Sequence, residues 1–226
     1  TEVFKPSFGN ASTDIDAGFP LDLILLGTTS GDGNNNTTVA VDRLRGSKKY
    51  LQTVTTASEF TANGEFTLDE QNNFTQNQIG GTKINWMFKR ASKFMDVVAY
   101  TGDGTSDRAI VHNLTVVPEM MIAKNRSSSS GWAVYHTGSL YQAGGALNLN
   151  SSGSGVSNTY DFGGASGAAK RPDASSFYLG GANINSTNDN YITYLFATLA
   201  GISKVGSYTG TGSAINVDCG FSNGAR

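Results

Sequence analysis

A single cysteine, Cys219, stands among the 226 residues, so no disulfide within the chain can brace the fold and stability has to come from packing. Histidine is almost as scarce. His112 and His136, even joined by the one cysteine, fall short of the ligand set of a structural zinc site. Charged residues make up only 15% of the chain and the net charge is −2, with a pI near 5.6. That balance excludes the basic footprint of a nucleic-acid binder. No run approaches the roughly 18 apolar residues of a membrane span, so membrane insertion is not expected. Thr1 opens into a strand-like segment with none of the charged-then-apolar pattern of a secretory leader.

What fills the gap is small and polar. The chain carries 28 Gly amid abundant Asn, Ser and Thr, residues that favour turns and short strands over helices. Hydrophobic residues still reach 38%, including 12 Phe and 9 Tyr, enough to bury a core. The fold class expected from this composition is all-β.

A repeat sets the expected organisation. Ile84-Asn-Trp86-Met-Phe88 and Ile192-Thr-Tyr194-Leu-Phe196 both alternate with period two and end on an aromatic. The match continues without a gap from Lys93–Gly104 to Gly201–Gly212, so that Val97-Val-Ala-Tyr100-Thr-Gly102 lies over Val205-Gly-Ser-Tyr208-Thr-Gly210 at a constant offset of 108. The N-terminus joins in, with Gly9–Phe19 paralleling Gly104–Leu114, and Phe66-Thr-Leu68 is aligned with Phe177-Tyr-Leu179. The reading is a divergent first unit over 1–93, a second over 94–201, and at 202–226 either the opening strands of a third unit or a tail docked on the second. Docking would bury Cys219 and Phe221 against the second unit, or else hold the tail on a neighbouring chain.

Within a unit, Leu21–Leu26 and Met120–Ala123 are apolar runs suited to strands buried on both faces. Val39-Ala-Val41 and Trp132-Ala-Val-Tyr135 follow polar loops, as hairpin partners do. The architecture predicted is tandem antiparallel β-sandwich modules of jelly-roll type. A β-propeller fits less well, because one blade takes only about 40–50 residues.

The search for chemistry yields no catalytic, cofactor-binding or metal-binding residue. Asp14 with Asp16, and Asp103 with Asp107, are the carboxylate pairs to check against glycosidase chemistry, but neither pair recurs in both units. Asp32-Gly-Asn34-Asn-Asn36 alternates oxygen ligands like a calcium loop, yet Thr37 replaces the needed glycine and no bidentate Glu follows, so an Asn-rich hairpin loop is expected. Gly31-Asp-Gly33 and Gly102-Asp-Gly104 read as turns, with no phosphate-cradling helix behind them. Ser128–Ser130 is a loop with no placed base. The basic cluster Arg43-Leu-Arg45-Gly-Ser-Lys48-Lys49 reads as a solvated turn face and His112 as a surface imidazole; His136 is placed at a strand end, and Cys219 as a small hydrophobe in an apolar strand. The sequons Asn10-Ala-Ser12 and Asn113-Leu-Thr115 are expected by chance in so polar a chain.

Three stretches carry a family likeness: Val98-Ala-Tyr100-Thr-Gly-Asp-Gly104; Pro118-Glu-Met-Met-Ile-Ala-Lys124-Asn125-Arg126; and Gly131-Trp132-Ala-Val-Tyr135-His136. Together with Asn190–Phe196 and Gly201–Gly210, they resemble a tandem repeat family of structural proteins from tailed, notably marine, phages. The likeness runs over 94–226. The first unit departs from it at Phe4-Lys5-Pro6 and Leu26-Gly27. The resemblance implies a virion component without catalytic residues, in a tail fibre, a tail-associated part or the head surface. It also implies other virion proteins as partners, a homo-oligomer, and contact with a host-surface glycan. A carbohydrate-binding module is the alternative reading, and a glycan-degrading enzyme the least favoured.

Overall fold

In the computed structural model, the structure describes residues 2–9, 14–30, 38–63, 66–68, 73–76, 82–138, 147–151, 161–163 and 170–222. The fold is all-β, built from antiparallel sheets packed as sandwiches. In chain order the first half holds β1 (Phe4–Gly9), β2 (Asp14–Asp16), β3 (Leu23–Ser30), β4 (Thr38–Asp42), β5 (Lys49–Gln52), β6 (Phe60–Thr61), β7 (Phe66–Thr67), β8 (Asn73–Gln76) and β9 (Thr82–Phe88). The second half holds β10 (Met95–Thr101), β11 (Arg108–Val111), β12 (Met120–Asn125), β13 (Trp132–His136), β14 (Leu147–Asn148), β15 (Ser176–Leu179), the short helix α1 (Ala182–Asn185) and β16 (Asn190–Phe196).

The two halves use the same strand order. One central sheet runs β1-β9-β3-β4-β5-β6 and the other β10-β16-β12-β13-β14. In each, the last long strand inserts between the first and the third, so the opening strand becomes an edge. Registers agree as well: Phe88 lies between Phe4 and Leu23, and Phe196 between Met95 and Met120. A small sheet covers one face of each central sheet, β2-β8-β7 in the first half and β11-β15 in the second.

The remaining faces of the two central sheets pack on each other, giving four β layers and three cores. Successive side chains on a strand point to opposite faces, so a strand inside this stack buries both sets and runs largely apolar, its buried polar side chains such as Lys124 and Asn125 needing partners of their own. β3 shows it. Leu23 joins the central core and Leu25 packs against it, while Ile24 and Leu26 enter the core under the first small sheet with Phe74 and Met87. β12 repeats the arrangement, with Ile122 towards the centre and Met121 and Ala123 in the second outer core beside Phe177 and Leu195. The apolar runs at Leu21–Leu26 and Met120–Ala123 thus report burial on two sides, as expected. β3–β4 and β12–β13 are the hairpins anticipated from the sequence.

Two alignments drawn from the sequence are corrected. The counterpart of Phe177 is Phe74, not Phe66: Ile15 of β2 pairs with Phe74 of β8 as Ile110 of β11 pairs with Phe177 of β15. Tyr208 does not share the surroundings of Tyr100. Tyr100 lies in β10 stacked on Tyr191 at 5.2 Å, whereas Tyr208 is 72% exposed in a segment without strand structure. The same holds for the expected strands Val205–Tyr208 and Ile215–Cys219. After the Leu199–Ser203 bridge the chain is irregular and mostly exposed to residue 222, with Cys219 and Phe221 half-buried at most. With β10 already beside β16, the second sheet has no vacant place there for another opening strand.

Phe177 is fully buried, while Phe196 is half-buried at the seam of the two halves, edge-on to Phe88 at 5.9 Å. Replacing Phe177 with Ala should cost about 3–5 kcal/mol, and the same change at Phe196 measurably less. Urea denaturation of both variants checks the order, and equal losses would reject the assignment of burial.

Candidate functional site

The seam between the central sheets holds both a concave feature and a buried polar cluster. The concavity has a volume of about 500 Å³ and is walled by Leu23, Leu25, Ile122, Trp132, Tyr194 and Phe196, with Thr38, Thr53, Asn150 and Ser151 among the polar groups at its margin. β3 supplies one wall and β12, β13 and β16 the other. Among the described residues Tyr194 is the one titratable side chain lining it.

Tyr194 reaches across the seam. Its hydroxyl donates to Asp42 Oδ2 at 2.7 Å and accepts from Arg45 Nη2 at 3.3 Å. Arg45 binds Asp42 through Nε at 2.5 Å, its backbone N–H donates to Asp42 Oδ1 at 3.0 Å, and Nη2 donates to the Ala40 carbonyl at 2.7 Å. Both charged side chains are fully buried. Glu59 stands 3.7 Å from Arg45 Nη1 and takes a two-pronged contact from Arg126 of the other half, at 2.9 and 3.2 Å. Burial pushes the Tyr194 phenol well above its ordinary pKa, with Asp42 adding to the rise against Arg45. Burial acts to lower Arg45, but Tyr194, Asp42 and Glu59 outweigh it and hold the guanidinium charged. A phenol held in this way neither gives up its proton nor attacks a substrate at neutral pH. The cluster is a latch.

This overturns one sequence expectation. The Arg43–Lys49 cluster is not a solvated face as a whole, because Arg45 turns inward to Asp42 three residues back; Lys48 stays exposed. Arg43 lies half-buried, donating from Nε to the Leu21 carbonyl at 2.7 Å. No spacing rule would have marked Arg45, since the partner that holds it from the other half, Tyr194, lies 149 residues away.

The residues that carry the family likeness are also spent on internal contacts. Lys124 is buried, with Nζ donating to the carbonyls of Thr56, Asn125 and Ser130 at 3.1, 3.0 and 2.9 Å. Asn125 donates to Asp189 and to the Tyr191 hydroxyl, and accepts from the N–H groups of Ser127 and Ser128. Trp132, 1% exposed, donates its indole N–H to the Gln52 carbonyl at 3.0 Å. Tyr100 donates its hydroxyl to the Ile184 carbonyl at 2.8 Å. A Cβ on Gly102 would sit 2.1 Å from the Ser186 carbonyl oxygen, so only glycine fits beneath that turn.

The nominated chemical groups are dispersed. His112 is buried rather than on the surface, its Nε2 3.1 Å from the Asp173 carbonyl and its Nδ1 accepting the Leu114 N–H. A histidine in that place can tie β11 to the loop before β15, where the first half has only Ala17. His136 ends β13, as expected, and its Nδ1 accepts the Gly138 N–H. Asp103 caps a turn through Thr105 and Asn185 and pairs with Arg108 at 3.3 Å; the hydrogen bonds from Thr105, above all, hold its pKa below the usual carboxylate range. Asp107 adopts a left-handed φ of 62° in the same loop. Asp16 is exposed and accepts the Gly18 N–H, and Ser128 and Ser129 are exposed in the β12–β13 loop. Asp32, Asn34, Asn36, Gly31, Gly33 and the Asn10 sequon fall outside the described residues, as does the side chain of Asp14. Among the described residues no three His, Cys, Asp or Glu side chains gather in a way that could hold a metal ion.

The architecture and the seam define a duplicated all-β sandwich protein whose polar residues bind its own two halves. Residues 7–223 match the family described as Domain of unknown function (DUF7483), and the chain belongs to that family. No curated protein and no solved structure matches it.

Two outcomes follow from the seam. Replacing Asp42 with Ala leaves the buried Arg45 with only Glu59, 3.7 Å from Nη1, as a counter-charge and should cost about 3 kcal/mol, whereas the double change Asp42→Leu with Arg45→Met should cost less than the single one. Chemical denaturation of the two variants measures the difference. Burial lowers the Lys124 pKa to about 8 from 10.5. The unfolded chain therefore holds the extra proton between those values, and stability should climb as pH rises from about 8 to about 10.5 relative to a Lys124→Met variant. Parallel pH slopes in the two proteins would show that Lys124 is not depressed.

Proposed function

We propose that the chain is a non-catalytic structural component of a tailed-phage virion, placed in a tail fibre, a tail-associated part or the head surface. The observation that carries this reading is the fate of the signature residues. Tyr100, Lys124, Asn125, Arg126 and Trp132 bear the resemblance to phage structural repeats, and each is engaged in holding strands, turns or the two halves in place. A sequence signature made of bracing residues suits a part selected for rigidity within an assembly, in contact with other virion proteins or copies of itself. The carboxylates nominated for acid–base work support the same reading, because Asp103 is taken up by a turn and Asp16 lies on an open surface.

Glycan recognition would have to use groups other than Trp132 and Tyr135, which are 1% and 7% exposed and offer no open stacking face. Immunogold labelling or cryo-electron microscopy of purified particles tests the proposal, with the protein expected at a fixed, repeated position on the particle. Absence from particles would overturn it. Release of sugar products from host-surface glycans by the purified chain would overturn its non-catalytic part.

A further inference from the structure

The segment after Ser203 carries the alternation of an opening strand but has no sheet to join. Val205-Gly-Ser-Tyr208-Thr-Gly210 repeats Val97-Val-Ala-Tyr100-Thr-Gly102 at and just after β10, and Val217-Asp-Cys-Gly-Phe221 takes the place of Ile15-Asp-Ala-Gly-Phe19 and Ile110–Leu114, the segments around β2 and β11, with Asp218 accepting the Gly220 N–H as Asp16 accepts that of Gly18. In the two folded halves the anchor residues of these segments are covered. Val97 and Ile110 are buried, Ile15 packs into the first outer core, and Tyr100 lies between Phe177 and Tyr191. In the tail Tyr208 is 72% exposed and Val217 48%, while Val205 and Phe221 are half-buried. Only slight contacts hold the start of the tail to the second half. The Val205 N–H donates to Thr198 Oγ1 at 3.1 Å, and the Ser207 hydroxyl lies where a Cβ on Gly138 would meet it at 2.9 Å.

We propose that residues 203–221 are a docking segment for a further β unit of this same repeat, one that offers a strand of the β9 and β16 kind with its opening-strand side vacant. An extended segment with unpaired backbone groups adds to such an edge through main-chain hydrogen bonds, and alternate side chains set the register. The register follows from β10 on β16, where Val97 faces Tyr194 and Tyr100 faces Tyr191. Val205 therefore takes its place beside the Trp or Tyr position of the acceptor strand, and Tyr208 three residues towards that strand's start. Tyr208 then stacks as Tyr100 does, and Val217 and Phe221 enter the outer core of the acceptor as Ile110 and Leu114 do in this chain. Within this chain both acceptor strands are saturated, β9 by β1 and β3 and β16 by β10 and β12. The inference concerns how units join and is independent of where the protein resides.

The test supplies the acceptor. A second copy of residues 119–203, which begins at the lead-in to β12 and lacks its own β10 and β11, is appended directly after Arg226. In a control fusion, residues 203–221 are exchanged for 95–114. Hydrogen exchange on both fusions is the readout, alongside the unextended chain. The expected result is protection of the 205–208 amides by about a hundredfold or more in the fusion and none in the unextended chain, with the appended unit folded. A folded control beside a test fusion whose tail still exchanges freely would overturn the proposal. So would an appended unit that folds in both fusions with the 205–208 amides unprotected. If neither fusion folds, residual protection in a Tyr208→Lys variant of the test fusion decides: loss relative to the parent fusion supports docking, and no change refutes it.

Discussion

Covering both faces of a central strand is the constraint from which most of this structure follows. β3, β9, β12 and β16 lie inside the stack, and each must find apolar partners above and below. Neither half can meet that demand alone, because its small sheet covers only one face of its central sheet. The other face needs the partner half. At roughly 25 cal/mol per Å² of apolar surface removed from water, the central contact stabilises both halves at once. The polar latch then orients it. Tyr194 meets the Asp42–Arg45 pair only in this one apposition, and misplacing it would leave its buried hydroxyl without those partners.

The small sheets are more variable. The first half pairs β2 with β8 and adds β7, while the second pairs β11 with β15 and, among the described residues, adds a single bridge from Phe162 to Leu179. The connections into the last central strand differ in length, with β8 ending at Gln76 and β9 opening at Thr82, against β15 ending at Leu179 and β16 opening at Asn190, with α1 between the latter pair. What stays constant is the central order and the aromatic at the end of the last strand. Variation has accumulated where a strand has only one face to satisfy.

Much of this was legible in the sequence, and the limit has a physical cause. Strands with strong local alternation or continuous apolar runs showed themselves, as did the correspondence of Phe88 with Phe196. The repeat was read from local patterns, so it paired Phe66 with Phe177 on similarity of three residues, whereas hydrogen-bond register places Phe74 there. The same locality made Arg45 look like a surface charge and His112 a surface ring, because burial of either depends on residues far away in the chain. Tyr208 was expected to behave like Tyr100, and it does not, since a strand exists only where another strand lies beside it. The seam could not be foreseen at all: tandem repeats can string out like beads or fold back, and composition does not distinguish the two.

Phe88 and Phe196 occupy equivalent places in the two halves and touch one another. Equivalent residues meet in this way about a local two-fold axis, the arrangement of an isologous contact between identical subunits. The seam is thus the single-chain counterpart of a symmetric dimer interface, with one duplicated surface meeting itself. Its departures from symmetry are also specific. Trp86 holds the position that Tyr194 holds in the other half, and a tryptophan has no hydroxyl to place between an aspartate and an arginine. The likeness of the two faces brings them together, and the one hydroxyl makes the halves distinguishable to each other.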